Sequence, residues 1–380
     1  MTTLAQRTPT APPVLAGFTY VRPLGSGGFA DVFLYEQDMP RRVVAVKVLL
    51  SDAINPDVLR LFNAEADVMA RLSAHPSVLT IFQASISSDG RPYLATEYCT
   101  DSMGARYKQG PLALATVLDT GVRMASALET AHRAGLLHRD IKPSNILITT
   151  LGTPVLSDFG IAMSLGGVED TEELIAMSVP WSSPESLQEA TAGTVASEVW
   201  SLGATLYTLL AGRSPFASTD RSKNTHEQMR ARILKASYTP IGRHDVPGPV
   251  EDFLSRTMSR DPRKRPQSML AFAEELRWLQ QELALAPTTI EVAASEWAAA
   301  APVSFADSAV RGPVVTTVNK DSRRAKRASA VHRPDALGEI TPSSSSSGSS
   351  LRAAIIGGVI GAVALALIGG LALVLTGVIG

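Results

Sequence analysis

The chain has 380 residues, 45% of them apolar and 19% charged, with 35 basic against 36 acidic side chains. At about 150 residues per domain there is room for two or three domains, or for one large domain with appendages, and the near-neutral balance leaves a nucleic-acid footprint no basis except a local one. The single cysteine, Cys99, excludes intramolecular disulfides and multi-cysteine zinc sites, while a charged fraction below the usual level of about 25% places some apolar residues outside an ordinary core.

Met1 to Gly17 carries Pro9, Pro12 and Pro13 and no continuous apolar run, so it is no secretory signal and reads as a flexible N-terminus, residues 1–17. A folded domain is expected over residues 18–283. Its first eighty residues look strand-rich, with Val43 to Leu50 a continuous apolar run and Asp57 to Leu72 at helical spacing. Beyond about residue 110 the pattern turns helical, in Ala113 to Ala134, Trp200 to Ala211 and Met269 to Leu283. The fold class that follows is α+β, a small β-rich lobe before a larger helical lobe.

Residues 284–352 are rich in Ala, Pro, Ser and Thr, end near Ser343 to Ser347, and have too few large apolar residues to fold alone; they read as a disordered tether. From Ala353 to Gly380 there are 28 residues without a charge, more than the about 20 that a spanning helix needs, so 353–380 reads as a transmembrane helix. Lys320, Arg323, Arg324, Lys326, Arg327, Arg333 and Arg352 precede it and no charge follows, which by the positive-inside rule puts the folded domain in the cytoplasm of a single-pass membrane protein. The basic run reads either as a contact with anionic membrane lipid or as a topology signal only. Gly357-x-x-x-Gly361 permits a homodimer of spans.

Leu24-Gly25-Ser26-Gly27-Gly28-Phe29-Ala30-Asp31-Val32 is a glycine-rich loop whose missing Cβ atoms let backbone N–H groups approach phosphate oxygens. A dinucleotide fold would add an acidic residue about 20 positions later. This chain instead has Val44-Ala45-Val46-Lys47, a lysine in an apolar strand, which calls for an anion such as a nucleotide phosphate or else reaches water along its stem. His138-Arg139-Asp140-Ile141-Lys142-Pro143-Ser144-Asn145 follows, then Asp158-Phe159-Gly160 and Ser183-Pro184-Glu185. In this order and spacing the motifs resemble those of the eukaryotic-like protein Ser/Thr kinases, over about residues 18 to 280, and with the span the chain is similar to bacterial transmembrane kinases.

The resemblance implies a bilobal kinase fold and transfer of the γ-phosphoryl group of Mg-ATP, with Mn²⁺ as an alternative metal, to Ser/Thr hydroxyls of protein substrates. It implies that Lys47 holds the α- and β-phosphates and is fixed by Glu65, since Asp67 would point away. Asp140 would accept the substrate's proton, Lys142 would neutralise the transferring group, and Asn145 and Asp158 would ligate metal. Residues Leu24 to Val32, with Ala45 and Leu147, would enclose the nucleotide, Glu97 and Cys99 would offer backbone to adenine, and Thr96 would be the gatekeeper. Cys99 is then a hinge residue, not a nucleophile.

An arginine before the catalytic aspartate, here Arg139, receives an activation-loop phosphate in such kinases. Of Ser164, Thr171, Ser178, Ser182 and Ser183, Ser178 aligns with the family's substrate-facing threonine and Ser182 and Ser183 lie against the Pro184-Glu185 anchor, which leaves Thr171 as the expected autophosphorylation site. The acidic neighbours Glu169, Asp170, Glu172 and Glu173 also allow carboxylates to occupy Arg139 instead. Ala30 replaces the loop's third glycine, Glu198 stands where the family has aspartate bracing the catalytic loop, which puts that loop's geometry in question, and Arg265 fits the partner of Glu185. Phosphothreonine-binding domains are partners the resemblance implies, and a nucleic-acid partner is not expected. The competing class is a pseudokinase scaffold, which usually lacks one of Lys47, Asp140, Asn145 and Asp158. With nothing after Gly380, either the signal arrives from the cytoplasm or the bilayer, or the sequence is a truncated receptor.

Overall fold

The structure, a computed structural model, describes residues 7–28, 30–159, 178–188, 191 and 193–293. Five antiparallel strands form the first lobe: β1 (Phe18–Ser26), β2 (Ala30–Asp38), β3 (Arg41–Leu49), β4 (Ile81–Ile86) and β5 (Pro92–Glu97), in the order β1-β2-β3-β5-β4. Helix α1 (Pro56–Leu72) lies between β3 and β4 in sequence.

The period-2 alternation of strands decides which face of this sheet does what. Val44, Val46 and Val48 are buried on one face with Phe33, Tyr35, Tyr93 and Ala95. Lys47 points to the opposite face, where it stands in register between Val32 and Leu94. Phe62 and Ala66 of α1 pack on Leu94, so the same face that carries the lysine receives the helix.

The second lobe contains α2 (Met103–Gln109), α3 (Leu114–Arg133), α4 (Pro184–Leu187), α5 (Val195–Ala211), α6 (His226–Leu234), α7 (Gly248–Thr257) and α8 (Met269–Glu282). A small antiparallel sheet of β6 (Cys99–Ser102), β7 (Ile146–Thr149) and β8 (Pro154–Leu156) lies on it. Helix α5 is buried along most of its length; a capping box of Thr194 and Ser197 starts it and Gly212, at φ 68°, ends it. At Gly121 of α3, a Cβ would fall 2.5 Å from Leu276 Cδ1 and 2.8 Å from Leu206 Cδ1, so a larger residue there would make the leucine ends of α8 and α5 shift. The bilobal α+β architecture is the expected one, with helices within a residue or two of the apolar periods, save that α5 begins five residues before Trp200.

Both ends of the domain correct the expectation. Residues 7–17 are not a flexible lead-in: Leu15 is buried in the aromatic face of the sheet, and the carbonyls of Ala11, Pro13 and Val14 accept from Arg91, Tyr35 and Ser88 at 2.8, 2.6 and 2.9 Å. A proline-stiffened extended segment has unpaired carbonyls to offer and little backbone freedom to lose, which favours docking on a sheet face with free donors. Nor does the tether begin at 284. Thr288 is buried, its backbone N–H and hydroxyl exchanging bonds with the Gln280 amide at 2.9 and 2.8 Å, and the hydroxyl donates to Asp119 at 2.8 Å. Ala293 N donates to Thr130 Oγ1, and the carbonyl of Glu291 accepts from Nε2 of His75, just after α1. Burial holds His75 below its usual pKa, and the neutral ring satisfies both contacts, since Nδ1 accepts from Ser77 N.

The tether beyond residue 293 and the span at 353–380 lie outside the described residues. Among the described residues no helix is long and apolar enough to cross a membrane.

Replacing Thr288 by Val keeps the shape but removes the hydroxyl from a buried amide and carboxylate. Thr288→Val is expected to lower stability by about 1–3 kcal/mol, read from the urea midpoint at unchanged slope.

Candidate active site

Three elements meet at Lys47. Its Nζ lies 2.7 Å from Oδ1 of Asp158, just after β8, and 3.3 Å from Oε1 of Glu65 on α1. Asp67 is exposed on the other side of the helix. Burial opposes the charge on Lys47, but Asp158 and Glu65 outweigh it and push the pKa up. The Lys47 ammonium in turn holds the Asp158 carboxyl at about 2, whereas burial pushes Glu65 upward against the pull of Lys47. The cluster is thus a cation between two carboxylates, in register with the apolar lining.

The loop from His138 to Asn145 holds the second group. Asp140 Oδ1 accepts from the Ser178 hydroxyl at 2.8 Å; Oδ2 accepts from Asn145 Nδ2 at 3.0 Å and lies 2.8 Å from Lys142 Nζ. Lys142 also donates to Ser178 Oγ at 3.0 Å, so serine, lysine and aspartate close a ring. With its amide nitrogen spent on Asp140, Asn145 presents an oxygen, and Asp158 presents carboxylate oxygens, one of them bonded by Ser157 Oγ at 3.0 Å. These are hard donors. Among the described residues no group of three His, Cys, Asp or Glu side chains could cage a metal, so a metal here would need ligands beyond these side chains.

The loop is strained and braced. Arg139 stands at φ 67° and Asp158 at φ 55°, conformations that cost of order 1–3 kcal/mol each unless the surroundings hold them. The doubt about Glu198 is resolved by its reach: Oε1 accepts from Arg139 N at 2.6 Å, and Oε2 meets Nε2 of His132 on α3 at 2.5 Å. The extra methylene is accommodated by a second partner. His138 is buried, donates from Nε2 to Ser157 O at 2.9 Å, and lies against the Phe159 ring with centroids 4.7 Å apart. His132 and Ser157 escaped the sequence reading; a histidine six residues before His138 on a buried helix face was the available signal.

Leu24, Val32, Ala45 and Leu147 are half-buried. At the connection between lobes Glu97 is tied twice to Thr80, by Glu97 N to Thr80 O and Thr80 N to Glu97 Oε1, both at 2.9 Å. Burial, then Glu97, pushes the Cys99 thiol up to about 12, so it is protonated and no nucleophile. Gly25 and Gly28 have open space where a Cβ would be. Phe29, Gly160, Ser164 and Thr171 lie outside the described residues. The Arg139 guanidinium is exposed and has no acceptor among the described residues.

Arg265 is fully buried and forks onto Glu185 at 2.5 and 3.0 Å, with further bonds to the Ala196 and Ser259 carbonyls. Burial opposes the Glu185 charge, but the fork holds its pKa below the usual range. This pair fastens the Ser178–Leu187 segment, and hence Ser178, to the helical core.

Residues 18–277 match the sequence profile described as "Protein kinase domain". The serine/threonine-protein kinase PknK of Mycobacterium tuberculosis is 40% identical over 271 residues, 70% of this chain and 24% of the relative. PknF of the same species is 34% identical over 279 residues, 69% and 56%, and PrkC of Bacillus subtilis 32% over 250 residues, 64% and 38%. The chain therefore spans about a quarter of the length of the first of these relatives and about half or less of the others.

Two outcomes follow from the ion pairs. Because the folded pKa of Asp158 lies below its unfolded value of about 3.8, its stabilisation is present above about pH 4 and is lost as the pH falls towards 2. Asp158→Asn should flatten that part of an acid unfolding curve followed by circular dichroism. Arg265→Met leaves the half-buried Glu185 carboxylate and the Ala196 and Ser259 carbonyls without their donor and is expected to cost about 3 kcal/mol in urea denaturation.

Proposed function

Because this chain belongs to the protein kinase family, with residues 18–277 matching, we propose that it is a Ser/Thr protein kinase that transfers the γ-phosphoryl group of ATP to hydroxyls of proteins. The observation that carries the reading is the ring of Asp140, Lys142 and Ser178. A serine hydroxyl already sits 2.8 Å from the Asp140 carboxylate with an ammonium on its oxygen, which is the arrangement a substrate hydroxyl needs. Its oxygen attacks the γ-phosphorus in line, the bond from phosphorus to the β–γ bridging oxygen breaks, ADP leaves with the electron pair, and the hydroxyl proton goes to Asp140 Oδ1. Oδ2 stays engaged by Asn145 and Lys142, so the base keeps its orientation.

Lys47 binds the α- and β-phosphates and Glu65 fixes it. Asn145 and Asp158 fit Mg²⁺, or Mn²⁺, by donor chemistry, and the metal would supply charge compensation on the phosphates. Leu24, Val32, Ala45 and Leu147 hold adenine against the Glu97–Cys99 backbone, and the loop from Gly25 to Asp31 covers the phosphates. Lys47, Asp140, Asn145 and Asp158 are all present, so the pseudokinase scaffold has no missing group to argue from. The Arg139 guanidinium, exposed and without an acceptor among the described residues, supports regulation through a phosphate, with Thr171 as its site.

The localisation proposal rests on sequence: a cell-membrane protein with residues 353–380 as its single span, the catalytic domain cytoplasmic, and a basic tether near lipid headgroups. Protein substrates, phosphothreonine-binding domains and a second copy at Gly357 and Gly361 are the proposed partners.

The full chain incubated with γ-labelled Mg-ATP should incorporate phosphate, and Asp140→Asn should lower the rate by about 10²–10⁴-fold. No incorporation by the wild type overturns the enzyme reading. Removal of residues 353–380 should move the protein from the detergent-extracted to the soluble fraction; a soluble full-length chain overturns the anchor.

A further inference from the structure

The glycine-rich loop is a hairpin whose base is formed by Ser26 and Asp31, paired opposite each other at the ends of β1 and β2, with a turn closed by Gly27 N donating to Ala30 O at 2.8 Å. Asp31 is 0% exposed. A buried carboxylate needs donors, and none of its described donors comes from the hairpin itself. They come from the N-terminal segment: Arg7 forms an ion pair with Oδ1, and the backbone N–H and hydroxyl of Thr10 donate to Oδ2 at 2.8 and 2.7 Å. On the other strand, Ser26 Oγ donates to the carbonyl of Arg7 at 2.6 Å. The segment therefore grips both strands of the hairpin at its base.

Its other end is fixed to the body of the lobe. Arg91 donates to the Thr10 hydroxyl at 3.0 Å and to Ala11 O at 2.8 Å, and is itself held by Asp89 at 2.7 Å. Tyr35, Ser88 and the buried Leu15 anchor residues 13 to 15. The Thr10 hydroxyl thus links the fixed Arg91 to the loop's Asp31, accepting from one and donating to the other.

We propose that residues 7–14 are a positioning strap for the glycine-rich loop, in which Arg7 and Thr10 act through Asp31 to set the loop's height over the nucleotide. The proposal rests on the ATP-dependent reading above. Glycines at 25, 27 and 28 give the unfettered loop wide conformational freedom, and restraint at its base lowers the entropy lost when phosphates bind. Neither strap residue touches Asp140, Lys142 or Asn145, so the strap acts on nucleotide binding and leaves the chemical step alone.

The full chain carrying Arg7→Ala and Thr10→Ala tests this. The KM for ATP should rise about three- to tenfold, kcat should stay within about twofold, and amides of residues 25–31 should exchange faster while those of α5 do not change. Thr288→Val, which loosens the opposite end of the domain and no part of the strap, should leave the KM for ATP at the wild-type value. An unchanged KM and unchanged loop exchange in the double variant overturn the strap. So does a loss of kcat with faster exchange throughout α5, the signature of a merely structural segment. A wild type that incorporates no phosphate sinks the kinase reading instead, and the exchange of residues 25–31 then still decides whether the strap restrains the loop.

Discussion

A lysine ammonium held between two carboxylates is the interaction on which the rest of the arrangement depends. Lys47 lies on β3, Glu65 on α1 and Asp158 after β8, so one cation ties the sheet, its helix and the segment leaving the second lobe. A half-buried cation is stabilised by two carboxylates only while both stay near, and each partner's element is fixed by its own packing. The strand alternation aims Lys47 away from the valine face, and Phe62 and Ala66 seat the helix on Leu94. Electrostatics completes a geometry that apolar packing has set up.

The helical lobe contributes stiffness where the backbone is strained. Arg139 and Asp158 are held in left-handed conformations within one hydrogen-bonded unit that includes Glu198, His132, His138 and Ser157. Glu198 belongs to a buried helix, and its two oxygens fasten the loop to both α5 and α3. That rigidity is what keeps Asp140, Lys142 and Ser178 within hydrogen-bond reach of one another. The Arg265–Glu185 fork gives the same support from below, holding the segment that carries Ser178.

Both termini of the domain are part of its fold. Residues 7–17 close the aromatic face of the sheet, and residues 285–293 run along α3 to the turn after α1. In composition each looks like a linker, since alanine, proline and threonine predominate. Each is nevertheless held by hydrogen bonds to buried or half-buried partners, and composition carries no record of such bonds.

Sequence alone determined the strand and helix periods, the placing of Lys47 in an apolar strand, the choice of Glu65 over Asp67, and the motif order from Gly25 to Arg265. The periods are local, repeating every two or 3.6 residues, so the chain displays them directly, while Glu65 and the motif order are read through the resemblance to the kinase family, each motif lying in a short contiguous run. The second partner of Glu198, the bridge at Ser157, the docking of Thr288 and the grip of Arg7 and Thr10 on Asp31 were decided only by tertiary structure. Each joins residues far apart in the chain, and whether a carboxylate or hydroxyl is solvated or buried against a distant donor depends on packing that no local pattern encodes.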